Sequence, residues 1–257
     1  MPAERRDSGF MATYRLDIAY NGSGFHGYAR QPGVRSVQGD LEEALFRVTG
    51  PVETVVAGRT DRGVHASGQV VSFRVDEAIE PDEVQRSLNR QLGPEIAVLA
   101  LSKAAVDFDA RFSATSRVYR YRILNRQAPD PFLAATSWHV PHRLNAEAMS
   151  AAASGFVGEH DFAAFCRKAE GRSTVRRVLS ADWFRRGDLV EFDIEGSAFC
   201  HQMVRSLVAL CVAVGRGRVE AAEVSAIIES GDRNSARGAA PPQGLTLVEV
   251  RYLDVER

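Results

Sequence analysis

Lysine is almost missing from this chain: Lys103 and Lys168 are its only lysines among 32 cationic residues, and the rest are arginine. That bias fits phosphate or base recognition by planar guanidinium groups, and it equally fits GC-rich coding. Cysteine is scarce too. Cys166, Cys200 and Cys211 have neither the density of a small disulfide scaffold nor the C-x-x-C spacing of a zinc or redox site, so a reducing compartment is expected. No apolar run reaches the roughly 18 residues needed to cross a bilayer, which excludes a membrane-spanning helix and predicts a soluble protein. The six histidines show no H-E-x-x-H or similar ligand spacing, so no metal is expected, and His65, His160 and His201 read as structural or hydrogen-bonding residues. A phosphate-cradling G-x-x-x-x-G-K-[ST] loop is absent as well, which removes the usual nucleoside triphosphate site.

What is present is ordinary globular material. The 257 residues are 45% hydrophobic and 25% charged, enough for one large domain or two small ones. Residues 1–12 mix Glu4, Arg5, Arg6 and Asp7 without an apolar core, and are expected to be a mobile extension rather than a signal peptide. The net charge of −1 rules out a uniformly basic surface but not basic patches. Two such patches stand out. Arg111, Arg117, Arg120, Arg122 and Arg126 follow one another with no intervening acid, and between Arg167 and Arg186 the cations far outnumber Glu170 and Asp182.

Alternation of Tyr14, Leu16, Ile18 and Tyr20 with polar neighbours predicts a first strand. Val37, Leu41, Leu45 and Val48 at helical spacing after Ser36 predict a capped helix ending at Gly50-Pro51. Strands over Val52 to Ala57 and around Val71 to Val75, a helix from Pro81 to about Gly93, and a strand over Ile96 to Leu101 complete the order β-α-β-β-α-β. That order predicts a ferredoxin-like unit over 13–107, an antiparallel sheet with helices on one face. Residues 108–257 read as a decorated echo of it: a strand over Val118 to Leu124, a helix capped by Asn145, a hairpin over Val178 to Ile194, apolar helices from Met203 and Val224, and a closing strand over Leu247 to Leu253. The expected fold class is α+β, two ferredoxin-like halves sharing one continuous antiparallel sheet.

The most chemically suggestive stretch is Gly58-Arg59-Thr60-Asp61-Arg62-Gly63-Val64-His65, a polar loop between two predicted strands. Arg59 and Arg62 flank Asp61 and would favour its ionised form, and an ionised, positioned carboxylate can serve as nucleophile or general base. The bland alternative is a solvated surface turn. Gly22-Ser23-Gly24-Phe25-His26-Gly27 matches the G-x-G-x-x-G dinucleotide fingerprint, but Gln31-Pro32-Gly33 interrupts before any helix and no ribose-binding acid follows the next strand. Tyr119 and Tyr121 alternate with Arg117, Arg120 and Arg122, so one strand face would carry rings and the other guanidinium groups, either a nucleic-acid surface or an aromatic core with a solvated back. Arg205, on an apolar helix, is either a buried anion contact or a snorkelling surface residue.

At the Gly58–His65 loop the chain resembles the bacterial tRNA pseudouridine synthase A family. Tyr20-Asn21-Gly22-Ser23, Gly27-Tyr28, Arg35-Ser36-Val37-Gln38, Gly68-Gln69-Val70-Val71, Phe108 to Ala114, Tyr119-Arg120-Tyr121, Phe199 to Arg205 and Gly244-Leu245 agree in order and spacing. The resemblance implies uridine-to-pseudouridine isomerisation in the tRNA anticodon arm, at positions 38 to 40, by a cytoplasmic homodimer that grips one tRNA in a positively charged cleft and uses no cofactor. It implies Asp61 as nucleophile, Arg59 supporting the place of the flipped base, Tyr119 stacking on the uracil, Arg205 pairing with the catalytic carboxylate and Leu245 lining the pocket. Arg62, His65, Arg111 and Arg120 are the further substrate contacts it suggests. Two departures, Tyr28-Ala29 for the family's Trp-Gln and Gln202 for its second His before Met-Val-Arg, fall on expected RNA contacts.

Overall fold

The computed structural model describes residues 11–167, 171 and 173–253. Strand β1 (Ala12–Tyr20) buries Tyr14, Leu16, Ile18 and Tyr20 on alternate positions, as its period-2 pattern requires. Helix α1 (Val37–Thr49) begins where Ser36 accepts a hydrogen bond from Gly39 N at 3.2 Å, and turns Val37, Leu41, Ala44 and Leu45 inward. Then come β2 (Thr54–Val56), β3 (His65–Val75), α2 (Pro81–Leu92) and β4 (Ile96–Lys103). Pro81 opens α2, where a missing N–H costs nothing. The rest of the chain forms β5 (Ala114–Leu124), β6 (Trp138–His139), α3 (Ala146–Ser154), β7 (Gly158–Asp161), β8 (Val175–Arg186), β9 (Leu189–Gly196), α4 (Met203–Gly215), α5 (Val224–Ser230) and β10 (Leu245–Tyr252).

Ten strands make one sheet, ordered β4-β1-β3-β10-β5-β9-β8-β7, with β2 added to β3 and β6 to β5. The expected purely antiparallel sheet is corrected here, because β10 runs parallel to β3 and β6 parallel to β5. The parallel junction arises because the last strand returns to the middle of the sheet and slots between β3 and β5. Thr246 and Leu247 there face His65 and Ala66. Gly68 lets the strands close up, since a Cβ on it would lie 2.2 Å from Val248 O. Ala12, the last residue of the expected extension, is the first residue of β1, and residues 1–10 lie outside the described residues.

Helix α4 is apolar almost all round. Met203, Val204, Leu207, Val208, Leu210, Cys211, Val212 and Val214 are all buried, which is how a helix deep in a core reads. It is therefore a rigid mount for whatever polar group it carries. One buried cluster runs through both halves, from Leu16 and Leu41 to Phe192 and Leu207. The two halves cannot shift independently without opening it.

Candidate active site

The loop between β2 and β3 is clamped from beneath. Tyr20 Oη and Thr60 Oγ1 share a buried 2.8 Å hydrogen bond, while Gln69 Nε2 donates to Gly58 O at 2.7 Å and to Tyr20 Oη at 3.3 Å. Burial pushes the Tyr20 hydroxyl up to about 12, so it stays a neutral hydrogen-bonding group at physiological pH. The glycine-rich segment supports the loop from the side. A Cβ on Gly22 would strike Val64 O at 2.0 Å, Gly27 (φ +100) would meet Thr60 O at 3.0 Å, and Tyr28 N donates to Thr60 O at 3.0 Å. These glycines thus make room for the Asp61 loop, which accounts for a motif that looked like a dinucleotide fingerprint.

Above the loop opens a cleft of about 1280 Å³, lined from both halves of the chain. Asp61 stands in its wall with its side chain 25% exposed. Arg205 Nη1 donates to Asp61 Oδ2 at 3.3 Å, and Arg205 Nε donates to Ala240 O at 2.6 Å, which fixes the guanidinium. His201 Nε2 lies 3.2 Å from Asp61 Oδ1. The carboxylate's side-chain partners therefore come from α4, which carries Arg205, and from the segment before it, which carries His201. Arg59 and Arg62, expected to flank it electrostatically, are exposed and pair with no acid among the described residues.

Among the described residues, seven arginines and two aspartates line this cleft: Arg59, Arg62, Arg111, Arg117, Arg167, Arg176 and Arg205 against Asp61 and Asp109. Tyr119 and Leu245 line it as well, both largely buried at 7% and 6% exposure. The Tyr119 ring meets Phe199 edge-on at 5.3 Å, and burial holds its hydroxyl well above the ordinary tyrosine range. Two expected substrate contacts are not brought here. Arg120 points to the other face of the sheet, because it alternates with Tyr119, and forms a bidentate pair with Asp193 at 2.7 and 2.6 Å. His65 is buried as a structural tie: Nδ1 accepts from Gly22 N at 3.1 Å and Nε2 donates to Gln243 O at 3.1 Å. Burial lowers its pKa, so the neutral ring with the proton on Nε2 is the form that fits.

The basic run from Arg111 to Arg126 also resolves differently from its sequence pattern. Arg117 is buried and donates to Ala57 O, Ser197 O and Arg111 O. Arg122 pairs with Glu191 and Arg126 with Asp130 and Asp188. Only Arg111 of that run offers an exposed cation to the cleft. His201 is the residue that the sequence reading under-valued; its position four residues before Arg205, in the turn that leads into α4, was the available signal. Among the described residues no group of three or more His, Cys, Asp or Glu could hold a metal ion, and no helix is long and apolar enough to cross a membrane.

A family model described as tRNA pseudouridine synthase matches residues 18–113 and 152–253, segments that hold Asp61, Arg205 and His201. The chain belongs to the tRNA pseudouridine synthase family. It is 47% identical over 242 residues to the tRNA pseudouridine synthase A of Frankia casuarinae, covering 93% of this chain and 88% of that protein. It is 44% identical to the protein of that name from a Methylobacterium species, over 94% of this chain and 98% of the relative. A third, from Methylacidiphilum infernorum, is 40% identical over 93% of this chain and 95% of its own length. The chain is accordingly an enzyme of the isomerase class. The family match leaves out residues 114–151, which include the strand carrying Tyr119.

Proposed function

We propose that this chain isomerises uridine to pseudouridine at positions 38 to 40 of the tRNA anticodon stem-loop, with Asp61 as nucleophile and the target base flipped out of its stack. The observation that carries the reading is the Asp61 carboxylate, bridged by Arg205 and facing His201, in the wall of an arginine-lined cleft. A volume of about 1280 Å³ exceeds the roughly 300–1000 Å³ of a small-molecule pocket, and suits a folded polynucleotide with one base extruded.

The isomerisation breaks the C1′–N1 bond, forms a C1′–C5 bond, and moves one proton from C5 to N1. It is redox-neutral and transfers no phosphoryl group, so its chemistry calls for no cofactor. A single carboxylate can drive it along either of two routes. In one, an Asp61 oxygen attacks C1′ and displaces uracil, which turns and recaptures C1′ through C5. In the other, the same oxygen adds to C6 of the base and leaves after the bonds have exchanged. In both, Arg205 keeps the carboxylate pointed into the cleft, with Ala240 O holding the guanidinium in place. Exposed Arg59, Arg62, Arg111 and Arg167 supply phosphate contacts, while Tyr119 and Leu245 form the apolar seat of the uracil.

In this reading residues 13–107 and 108–257 are two ferredoxin-like halves, and the enzyme is a cytoplasmic homodimer that holds one tRNA across both subunits. The deciding experiment incubates the purified protein with unmodified tRNA and maps pseudouridine by a carbodiimide-dependent primer-extension block. Stops at 38 to 40 with wild type and none with Asp61→Asn are expected; stops elsewhere, or none, refute the assignment.

A further inference from the structure

Cys166 and Cys200 are distant in sequence, yet both line the cleft that holds Asp61. Three contacts bring their segments together. Arg167 N donates to His201 O at 3.0 Å, so the residue after Cys166 is hydrogen-bonded to the residue after Cys200. Thr174 O accepts both Phe162 N at 3.1 Å and the Cys200 thiol at 3.9 Å, which binds the turn leading to Cys166 against Cys200 from the other side. Cys166 is 1% exposed, whereas Cys200 is partly open to the cleft. Arg176, whose Nε is buried with no hydrogen-bond partner among the described residues, lines the same cleft.

We propose that Cys166 and Cys200 are a peroxide-responsive dithiol pair, joined on oxidation into an intramolecular disulfide that locks the segment carrying His201. Cys200 is the thiol that a peroxide in the cleft can reach, while Cys166 is buried behind it, which makes Cys200 the nucleophile and Cys166 the thiol that resolves it. The pairing lowers the pKa of Cys200 and, with burial, raises that of Cys166, in the same sense. The balance is complete with a peroxide as oxidant. Cys200 thiolate attacks one oxygen of hydrogen peroxide, the O–O bond breaks, and sulfenic acid and hydroxide result. The Cys166 thiol then displaces the sulfenic oxygen as water and forms the S–S bond. Two thiols lose two electrons to the peroxide; a small dithiol reverses the change by exchange. Cys211, buried within α4, stays a thiol throughout.

The effect on catalysis rests on the proposed function, because His201 adjoins Cys200 and stands 3.2 Å from Asp61. The test treats wild type with hydrogen peroxide, quenches it, blocks free thiols with iodoacetamide in denaturant so that buried thiols also react, and maps peptides by mass spectrometry beside single-turnover assays on tRNA. Expected are a Cys166–Cys200 linked peptide, carbamidomethylation of Cys211 alone, and a rate loss of about tenfold, equivalent to roughly 1.4 kcal/mol of barrier, restored by dithiothreitol. In Cys166→Ala a dimedone adduct on Cys200 should accumulate, and Cys200→Ser should keep its own untreated rate after peroxide. Three alkylated thiols, a linkage through Cys211, or oxidation straight to sulfinic acid overturns the pair. A linked peptide with an unchanged rate overturns the switch. If untreated protein forms no pseudouridine, the function reading fails while the peptide map still decides the disulfide.

Discussion

Arg205 and Asp61 are 144 positions apart in the chain, and their side chains meet at 3.3 Å. The contact joins an apolar helix of one half to the clamped loop of the other, so the carboxylate's orientation depends on the packing of the whole molecule. Asp61→Asn changes almost no volume and removes the nucleophile; turnover should fall by several powers of ten, at about 1.4 kcal/mol each, with tRNA affinity nearly kept. Arg205→Lys retains charge but cannot donate to Ala240 O and Asp61 together as the planar fork does. It should lower the single-turnover rate by about ten- to a hundredfold, or roughly 1.4–2.8 kcal/mol, with little change in melting temperature. A Lys variant at wild-type rate would show that the fork is not needed.

His65 predicts an acid-sensitive fold. Its pKa is lowered in the folded state by burial, so the unfolded chain binds the proton more tightly. The stability His65 contributes is fully present above its unfolded value of about 6.5, and is lost as pH falls through the lower folded value. Protonation would also set an Nδ1–H against Gly22 N–H, where an acceptor is required. Melts between pH 8 and pH 5 should show a steeper acid decline for wild type than for His65→Gln, which cannot titrate. Parallel declines would remove His65 as the source.

How much of this was legible in the sequence depends on the range of the contact. Ser36 before Val37 marked α1 because capping is local, and the cap is made as expected. Strand β7, Gly-Glu-His-Asp, has no apolar alternation and exists only through its pairing with β8, so no local pattern could reveal it. The return of β10 to the sheet centre is likewise a long-range event. Within the site, Asp61 was legible from its loop and Arg205 was named as its partner by the family resemblance, but His201 beside the same carboxylate was not. Gln202 adopts a left-handed conformation (φ 66) just after His201, a turn that its side-chain type does not announce. The arginines of β5 misled because alternation shows which face a residue takes, not that Asp193 and Glu191 wait opposite on β9.

That pairing makes a specific prediction about salt. The exposed cleft arginines without an acidic partner among the described residues are Arg59, Arg62, Arg111 and Arg167. With about four phosphate contacts, log K for tRNA should fall with log salt at a slope near −2.8 to −3.6, from about 0.7 to 0.9 per phosphate. Arg111→Gln should flatten the slope by about one such increment. Arg120→Gln should leave it unchanged and instead strand Asp193, costing stability. Filter-binding titrations at several salt concentrations, beside thermal melts, separate the two; equal slopes for Arg111→Gln and wild type would remove Arg111 from the RNA interface.

Tyr119 is where the expected role and the observed burial pull apart. A stacking platform needs an open face, but this ring is 7% exposed and set edge-on to Phe199 at 5.3 Å. Both a base seat and a core strut fit a ring in the cleft wall, and they differ in what a substitution damages. Tyr119→Phe keeps the ring and loses only the hydroxyl, which burial already holds protonated. Tyr119→Leu keeps bulk and loses the π-surface, worth on the order of 1–3 kcal/mol per stacked base. If the ring seats the uracil, Phe should retain most of the single-turnover rate and Leu should lose about one to two powers of ten, the same energy expressed as rate. If the hydroxyl passes a proton, Phe should be nearly as slow as Leu. If Tyr119 is a strut alone, Leu should lower the melting temperature and leave the rate per folded molecule unchanged. That last result would withdraw Tyr119 from the uracil seat and leave Leu245, beside it in the cleft wall, as the apolar contact for the base.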